Sequence, residues 1–403
     1  MTEALDTFRA EVRAWLEGHV AEFGAAARVG LSETEDLALG RRWQALKAQH
    51  GFAGATLPKA YGGGGRTALE GAIFKEEETK LGFPAEYFGI SLGMPIPILL
   101  AYAPEETRQK YAPQAIRGET IWCQLFSEPS GGSDLAGLRL RAEKDGDDWV
   151  LNGQKLWTSW AQYSDYGLII ARTDPTVLKH KGLTAFWVDM KAPGVTVRPV
   201  RLADGHAHVN EVFFDNVRIA DSQRLGEVGG GFAVAIHTLT IERYTGSDED
   251  GFGTPLSLFI ELAKKPGPDG RPAIEDGRTR RRLATAFRQQ KALAAVRTRT
   301  YMALAEGAEP GSEGSIHKLV AMRARQTLSA AALDLMGPAG AVLDPQATNR
   351  SDFAQSWLNV PTGRIAGGAD EMLLNTIAER VLGLPQDYRP DKNVPFDQIK
   401  PTR

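Results

Sequence analysis

Two short segments of the chain concentrate residue types that bind flat heterocycles or phosphate. Residues 122–134 read Trp-Cys-Gln-Leu-Phe-Ser-Glu-Pro-Ser-Gly-Gly-Ser-Asp, and residues 152–159 read Asn-Gly-Gln-Lys-Leu-Trp-Thr-Ser. Glycines let a backbone approach a ligand, and hydroxyl and N–H groups in a turn receive ring heteroatoms or phosphate oxygens. If the two segments lie on neighbouring strands, a bound ring would be surrounded by the side chains of Ser127, Trp157, Thr158 and Ser159. The alternative is a core tryptophan beside a plain surface turn.

A glutamate on a predicted helix is the candidate general base. The positions that share its helix face are Ala235, Leu239, Glu242 and Gly246. Glu242 therefore places a carboxylate on a largely apolar stripe, where a charge needs a partner or a function. The alternatives are an ion pair or a position on the margin of the helix face. Asp370 and Glu371 stand at the start of a later helix, where they would cap it or complement its dipole.

Three consecutive glycines, residues 229–231, follow a predicted strand and precede a predicted helix. A phosphate loop is one interpretation of such a segment. However, no Gly-Lys-Ser/Thr follows, and the Gly-x-Gly-x-x-Gly spacing is absent. We therefore interpret it as a turn that opens a helix.

The composition is that of an ordinary globular protein, with 42% hydrophobic and 24% charged residues among 403. That length favours two or three domains. A net charge of -3 gives no reason to expect nucleic acid binding. The single cysteine, Cys123, excludes an intramolecular disulfide and a multi-cysteine metal site. We therefore expect no metal site. The apolar stretch 88–102 is too short for a membrane span, and the acidic N-terminus lacks the features of a leader, so we expect a cytoplasmic protein.

The order of patterns along the chain predicts an α+β protein with three domains. Helical periodicity dominates residues 1–120, as at Phe8, Val12 and Leu16, and returns over 226–403. Short β-branched and aromatic runs separated by Asp-Gly, Asn-Gly and Pro-Gly fill residues 121–225 and predict an antiparallel β domain. Loops rich in proline and glycine are predicted at 58–65 and 264–272.

Together these motifs resemble the acyl-CoA dehydrogenase family. The resemblance also includes residues 226–232, Gly-Glu-Val-Gly-Gly-Gly-Phe, and the segment 367–385 near the end. It implies a helical N-terminal domain, a β-barrel-like middle domain and a C-terminal four-helix bundle, with FAD held between the last two domains and a neighbouring subunit. The positions that it assigns to the cofactor are Phe126, Ser127, Gly132, Ser133, Trp157, Ser159, Gly337, Gly340 and Glu371.

The family removes the α-proton of an acyl-CoA thioester with a carboxylate while the β-hydrogen leaves as hydride. Its members place this base at one of two positions. Gly367 occupies the first, so the resemblance assigns the base to Glu242 at the second. It assigns the N–H of Gly367 to polarising the thioester carbonyl, and Leu239, Arg243 and Gly368 to substrate binding.

The chain departs from the family at an Arg-x-Gln-Phe-Gly motif, whose arginine reaches the FAD of the adjoining subunit. Residues 266–271 replace it, and Arg271 or Arg280 is the candidate substitute. The resemblance implies a homodimer or homotetramer that passes electrons to an electron-transfer flavoprotein. Two alternatives remain: a non-catalytic or half-site subunit of a mixed assembly, and a flavin oxidase or monooxygenase of the same fold.

Overall fold

The structure is a computed structural model and describes residues 3–245, 253–267, 270–306, 308, 311–343 and 353–399. It divides into two compact units, of which the first combines Met1–Gly246 with Asp387–Arg403 and the second is Ser247–Gln386. The second unit is thus an insertion between two parts of the first. This division differs from the three domains drawn from the sequence, because the first unit includes the helix of Glu242 and the C-terminal segment.

Helices form the N-terminal part of the first unit. They are α1 (Glu3–Glu17), α2 (Val20–Phe23), α3 (Glu33–Gln49), α4 (Ala68–Leu81), α5 (Glu86–Gly93), α6 (Pro95–Tyr102) and α7 (Glu105–Ile116). Phe8, Val12 and Leu16 repeat at every fourth position and are all buried in α1, as their periodicity predicts. Capping boxes begin α3 at Ser32 and α4 at Thr67, so the predicted loop 58–65 lies between two well-defined helices.

A single sheet forms the middle of the chain. Its strands are β1 (Trp122–Leu125), β2 (Arg141–Asp145), β3 (Asp148–Ser159), β4 (Tyr166–Arg172), β5 (Leu183–Asp189), β6 (Val195–Val200), β7 (Val209–Ala220) and β8 (Arg224–Leu225). The strand order is β6-β7-β3-β2-β4-β5-β8, with β1 also pairing β4. Most pairs are antiparallel, as predicted, whereas β1 and β2 each run parallel to β4. Both therefore lie along one edge of β4.

Two elements complete the first unit. Helix α8 (Gly231–Thr245) packs against β5 and α6. The C-terminal segment 387–399 contains one short turn of 3-10 helix, Phe396–Gln398, and forms a bridge between Pro395 and Leu178. The segment 387–399 thus packs beside the loop that joins β4 to β5.

The second unit is helical. Its helices are α9 (Leu256–Lys264), α10 (Gly277–Ala305), α11 (Gly314–Met336), α12 (Phe353–Gly363) and α13 (Asp370–Thr376), followed by one π turn, Ile377–Val381. Helix α11 contacts the other four, and Phe259, Leu328 and Ala332 lie in the core between them. The predicted loop 264–272 falls between α9 and α10, with its described residues closed by a bond from Gly267 N–H to Arg271 O of 2.8 Å.

Candidate functional site

The turn after β1 presents small and polar groups at the surface. Phe126 is buried at 6% exposure, Ser127 is half-buried, and Gly132 and Ser133 are exposed. A Cβ added at Gly132 would lie 3.1 Å from Ser127 Oγ, so a side chain there would crowd the serine hydroxyl. The turn therefore leaves its backbone and the Ser127 hydroxyl open to a ligand.

A bulge in β3 places Trp157 beside this turn. Lys155 pairs with Val212 and Thr158 with Asn210, so two residues of β3 stand opposite one residue of β7. Trp157 lies inside the bulge with φ 61°, and its side chain is 54% exposed. Bulges of this kind redirect side chains, and a non-glycine residue in the left-handed region is held there only by its surroundings. The indole thus stands out from the sheet instead of packing into it.

The two motif segments are directly bonded to each other. Leu156 N–H donates to Ser127 O at 2.9 Å, which brings Ser127 next to the bulge, and Ser159 lies half-buried at the end of the same strand. Thr158 differs from the sequence-based expectation, because its side chain is only 1% exposed. The bulge returns Thr158 to the inward side of β3, so its hydroxyl does not join the surface formed by Trp157.

A buried ion pair between Lys155 and Glu128 joins this turn to β3 on its inward side. Lys155 Nζ lies 2.9 Å from Glu128 Oε1 and donates to Phe126 O at 3.2 Å. Glu128 also accepts from Arg139 N–H at 2.6 Å and Leu140 N–H at 2.9 Å. Burial lowers the pKa of Lys155, and the Glu128 carboxylate opposes that shift. The pair joins both ends of the turn to β3, and sequence reasoning did not identify it.

A second buried cation holds the far end of the same turn. Arg172 donates to Ala136 O at 2.6 Å and to Leu138 O at 3.0 Å. Its guanidinium carbon lies 3.5 Å from the ring centroid of Phe396, in the C-terminal segment. Burial lowers the pKa of Arg172 to about 10. Lys179 adds contacts to Asp134 at 3.0 Å and to the C-terminal segment.

Helix α8 carries the candidate base. It begins at Gly231, where an added Cβ would lie 2.6 Å from the backbone of Thr184, so close packing against β5 requires glycine. The predicted helix-opening turn is therefore confirmed. Leu239 and Glu242 are half-buried on α8. Arg243 belongs to the same helix, but its side chain and Gly246 lie outside the described residues.

Within the second unit, a glycine turn between α12 and α13 contains Gly367 and Gly368, with φ 61° and 103°. Lys318 Nζ on α11 donates to Ala366 O and, at 2.8 Å, to Gly368 O. Gly367 is exposed, whereas Gly368 is half-buried. The carbonyls on either side of Gly367 are thus bound to one ammonium group, which sequence reasoning also missed.

The acids that follow this turn have different environments. Asp370 is buried at 3% exposure and accepts from Arg364 Nε and Arg323 Nε, each at 3.0 Å. Burial raises the pKa of Asp370, but the two guanidinium groups outweigh this and hold it below its usual value. The N-cap of α13 is Ala369, so the expected cap is replaced by an ion-pair network. Glu371 is exposed in the first turn of α13.

The two glycines after α11 have local structural reasons for being glycine. Gly337, with φ 57° and ψ -137°, ends the helix, and its N–H donates to Leu333 O. Gly340 is buried, and an added Cβ would lie 3.1 Å from Leu333 O. Their assignment to the cofactor remains a prediction.

Among the described residues, no helix is long and apolar enough to cross a membrane. In the same residues, the acidic, histidine and cysteine side chains form no group of three or more with a geometry suited to a metal ion. Cys123 is buried, and burial raises the pKa of its thiol to about 12.

Family models cover almost the whole chain. The N-terminal, middle and C-terminal domain models of acyl-CoA dehydrogenases match residues 2–119, 123–217 and 229–382. Acyl-CoA dehydrogenase IpdE1 of Mycobacterium tuberculosis is 34% identical over 96% of this chain and 99% of the relative. Acyl-CoA dehydrogenase FadE34 of the same organism is 38% identical over 72% of this chain, which corresponds to 39% of that longer protein.

Solved structures share the fold over nearly the full length. The Tcur3481-Tcur3483 steroid ACAD has a TM-score of 0.79 and 26% identity, and covers 96% of this chain and 99% of its own. The ChsE4-ChsE5 complex from Mycobacterium tuberculosis has a TM-score of 0.79 and 25% identity, with the same coverage. The predicted architecture of helical ends and a central sheet is thereby confirmed.

Proposed function

Since the chain belongs to the acyl-CoA dehydrogenase family and is an oxidoreductase acting on acyl-CoA, we propose that it converts an acyl-CoA thioester to a trans-2-enoyl-CoA with Glu242 as base. The observation that carries this proposal is the residue type at the two positions where members carry the base: residue 242 is a half-buried glutamate, whereas residue 367 is a glycine. Of these two positions, residue 242 is thus the one that carries a carboxylate.

The residues around the β3 bulge fit a flavin, and members of the family are FAD flavoproteins. Trp157 offers an exposed aromatic face, while Ser127 and Ser159 offer hydroxyls and Gly132 leaves room for close backbone approach. When bound, FAD accepts the β-hydrogen of the substrate as hydride. We assign these residues to holding the ring, and Lys155 and Glu128 to holding the turn.

The α-proton is transferred to the Glu242 carboxylate as the Cα–H bond breaks, and the electron pair left on Cα forms the new double bond as hydride leaves Cβ. A carboxylate serves as general base when it lies within hydrogen-bond reach of the proton that it takes. The N–H of Gly367 donates to the thioester carbonyl, where negative charge develops. We assign Leu239, Arg243 and Gly368 to substrate binding, as the family resemblance implies, and the two electrons then pass to an electron-transfer flavoprotein.

Anaerobic bleaching of the flavin band tests this function. We would add hexanoyl-, dodecanoyl-, isovaleryl- and a steroid side-chain acyl-CoA to the yellow protein, and compare Glu242→Gln with Glu227→Gln, whose side chain is 95% exposed just before α8. We expect Glu242→Gln to retain flavin and bleach about 10²- to 10⁴-fold more slowly, the usual contribution of a general base. Equal bleaching in both variants would remove Glu242 from catalysis.

A half-site subunit is the second candidate. Its support is residues 266–271 in place of the FAD-binding arginine motif, together with similarity to two proteins described as a Tcur3481-Tcur3483 enzyme and a ChsE4-ChsE5 complex. A colourless protein that stays colourless after reconstitution with FAD would favour this candidate. Dioxygen consumption in place of dye reduction would instead indicate an oxidase.

A further inference from the structure

Lys318 is bound to both carbonyls that flank Gly367. We propose that it is a positioning residue that aims and polarises the N–H of Gly367 toward the thioester carbonyl. This inference rests on the proposed function, which assigns that N–H to the substrate. Lys318 lies on α11, whereas the turn follows α12, so the contact joins two elements that are separate in sequence.

Peptide geometry fixes the direction of the donor. The C=O of Ala366 and the N–H of Gly367 belong to one planar trans peptide group, so they point in opposite directions. Lys318 holds that C=O, and it holds the C=O of Gly368 at 2.8 Å in the same way. Because the ammonium group lies on the carbonyl side of this peptide, the N–H of Gly367 points away from Lys318.

The two glycines at the tip of the turn are conformationally free residues that Lys318 restrains. Gly367 and Gly368 both adopt positive φ, at 61° and 103°, and glycine explores more backbone conformations than any other residue. Arg364 and Asp370 join the two ends of the turn, through the Asp370 N–H to Arg364 O bond of 3.2 Å and their ion pair, but they do not contact the peptide groups of Gly367 and Gly368. Lys318 is the contact that reaches the two peptide groups themselves.

The charge of Lys318 also strengthens the donor. Hydrogen bonds from an ammonium group to a carbonyl are charge-assisted, and bonds in a chain polarise one another, which makes the N–H of the same peptide a better donor. Gly367 is exposed, and its N–H donates to no backbone carbonyl within the described part of the chain. The group is therefore open to a ligand.

Infrared spectroscopy of a bound thioester carbonyl tests this inference. The probe is the trans-2-enoyl-CoA, labelled with ¹³C at the carbonyl, that corresponds to the acyl-CoA bleaching the wild type fastest in the panel above. The variants are Lys318→Met, Lys318→Arg as the conservative change, and Lys291→Met as a control at an exposed lysine of α10. Carbonyl frequency, kcat, KM and flavin content are measured for each holoenzyme.

We expect Lys318→Met to lose most of the carbonyl downshift and about tenfold in kcat, less than the 10²- to 10³-fold that follows complete removal of an oxyanion donor. Its KM and flavin content should stay within about twofold of wild type, because substrate binding uses many other contacts. Lys318→Arg should recover part of the downshift, and Lys291→Met should resemble wild type. If the Met variant does not fold, Lys318→Gln, which retains a donor without the charge, should show a partial loss.

Two results would overturn the inference in distinguishable ways. If the carbonyl downshift in Lys318→Met equals that of the wild type, Lys318 does not polarise the donor, although Gly367 can still be the donor. If the wild type binds the enoyl-CoA without any downshift, Gly367 is not the donor, and the role of Lys318 is excluded as well. If none of the acyl-CoA thioesters in the panel bleaches the flavin of the wild type, the proposed function is refuted, and the proposed role of Lys318 is refuted with it.

Discussion

Lys155 lies on the inward side of β3, in phase with the buried Trp149 and Leu151. A cation at an inward position of an apolar strand needs a partner, and this phase is a signal that the sequence does contain. Sequence spacing does not identify this partner, because the turn that follows β1 is what brings Glu128 to Lys155. Local spacing could single out the two segments as a candidate site, but it placed Thr158 wrongly and did not indicate the ion pair between the segments.

Removing the ammonium group should destabilise the turn from inside. Lys155→Met leaves the Glu128 carboxylate buried without its cation, and we expect a loss of about 3–5 kcal/mol in the free energy of unfolding. Weaker flavin retention should accompany it. Urea unfolding and visible absorbance after gel filtration measure the two effects.

Lys144→Met is the matched control, because Lys144 pairs with Asp221 at 3.3 Å on the surface, with 44% of its side chain exposed. Its effect should stay below about 1 kcal/mol. The double variant Lys155→Met/Glu128→Gln should recover part of the loss. Equal losses in the two lysine variants would contradict a special role for the buried pair.

At the scale of elements, an ion network fastens α1 to α4. Glu77 on α4 is only 3% exposed, and it contacts Arg9 at 2.5 Å and Arg13 at 3.3 Å on α1, and Lys80 at 2.9 Å on its own helix. Burial raises the pKa of Glu77, but hydrogen bonds from Lys80, Arg13 and Arg9 outweigh this and bring it to about 2. The ionised carboxylate therefore stabilises the folded state.

This network should make stability depend on pH in a defined window. Glu77→Gln should lower the free energy of unfolding on the order of 2 kcal/mol at pH 7, since one pKa unit corresponds to about 1.4 kcal/mol. The contribution of a carboxylate with a depressed pKa is complete above its unfolded value of about 4.5 and is lost as pH falls toward about 2. Urea unfolding between pH 7 and 3 should show the two proteins converging.

Glu76→Gln provides the control for that series. Glu76 contacts Arg9 at 3.0 Å and Lys80 at 3.1 Å, but its side chain is 43% exposed. Water screens such a pair, so we expect a loss below about 1 kcal/mol at pH 7. A wild-type advantage over Glu77→Gln that persisted undiminished at pH 3 would assign the stabilisation to packing instead of charge.

The elements themselves could largely be predicted from periodicity and turn residues, whereas the bulge could not. Alternation alone would place Trp157 inward, in phase with Lys155, and Thr158 outward. The two-against-one pairing opposite β7 reverses both, and it depends on register with a strand about fifty residues later. The exposed position of Trp157 is compatible with the cofactor role that the family resemblance assigns to it, and that role remains a prediction.

For the whole molecule, the family and the order of helical, sheet and helical parts predicted from sequence are confirmed. The return of the C-terminal segment to the first unit was not predicted. Its contacts, Phe396 on Arg172 and Asp391 on Lys179, join residues more than two hundred positions apart. Nothing in local spacing indicates such a pairing.

Shortening the Phe396 side chain should therefore weaken FAD binding at the turn after β1. Phe396→Ala removes the ring from the Arg172 guanidinium, a contact of about 0.5–2 kcal/mol, and we expect the FAD dissociation constant to rise severalfold. Fluorescence titration of the apoprotein measures it. Tyr388→Ala, at a side chain 89% exposed in the same segment, should have no effect. Equal affinities in both variants would show that the segment does not support the turn.

The order of synthesis adds a consequence. The ribosome completes most of the first unit, then makes about 140 residues of the second before it reaches the segment that covers Arg172. At roughly 5–20 residues per second, the nascent first unit waits on the order of ten seconds for its last contacts. During that interval the turn after β1 lacks its contacts with the segment 387–399, so Arg172 and Lys179 gain these partners only after the second unit has been synthesised.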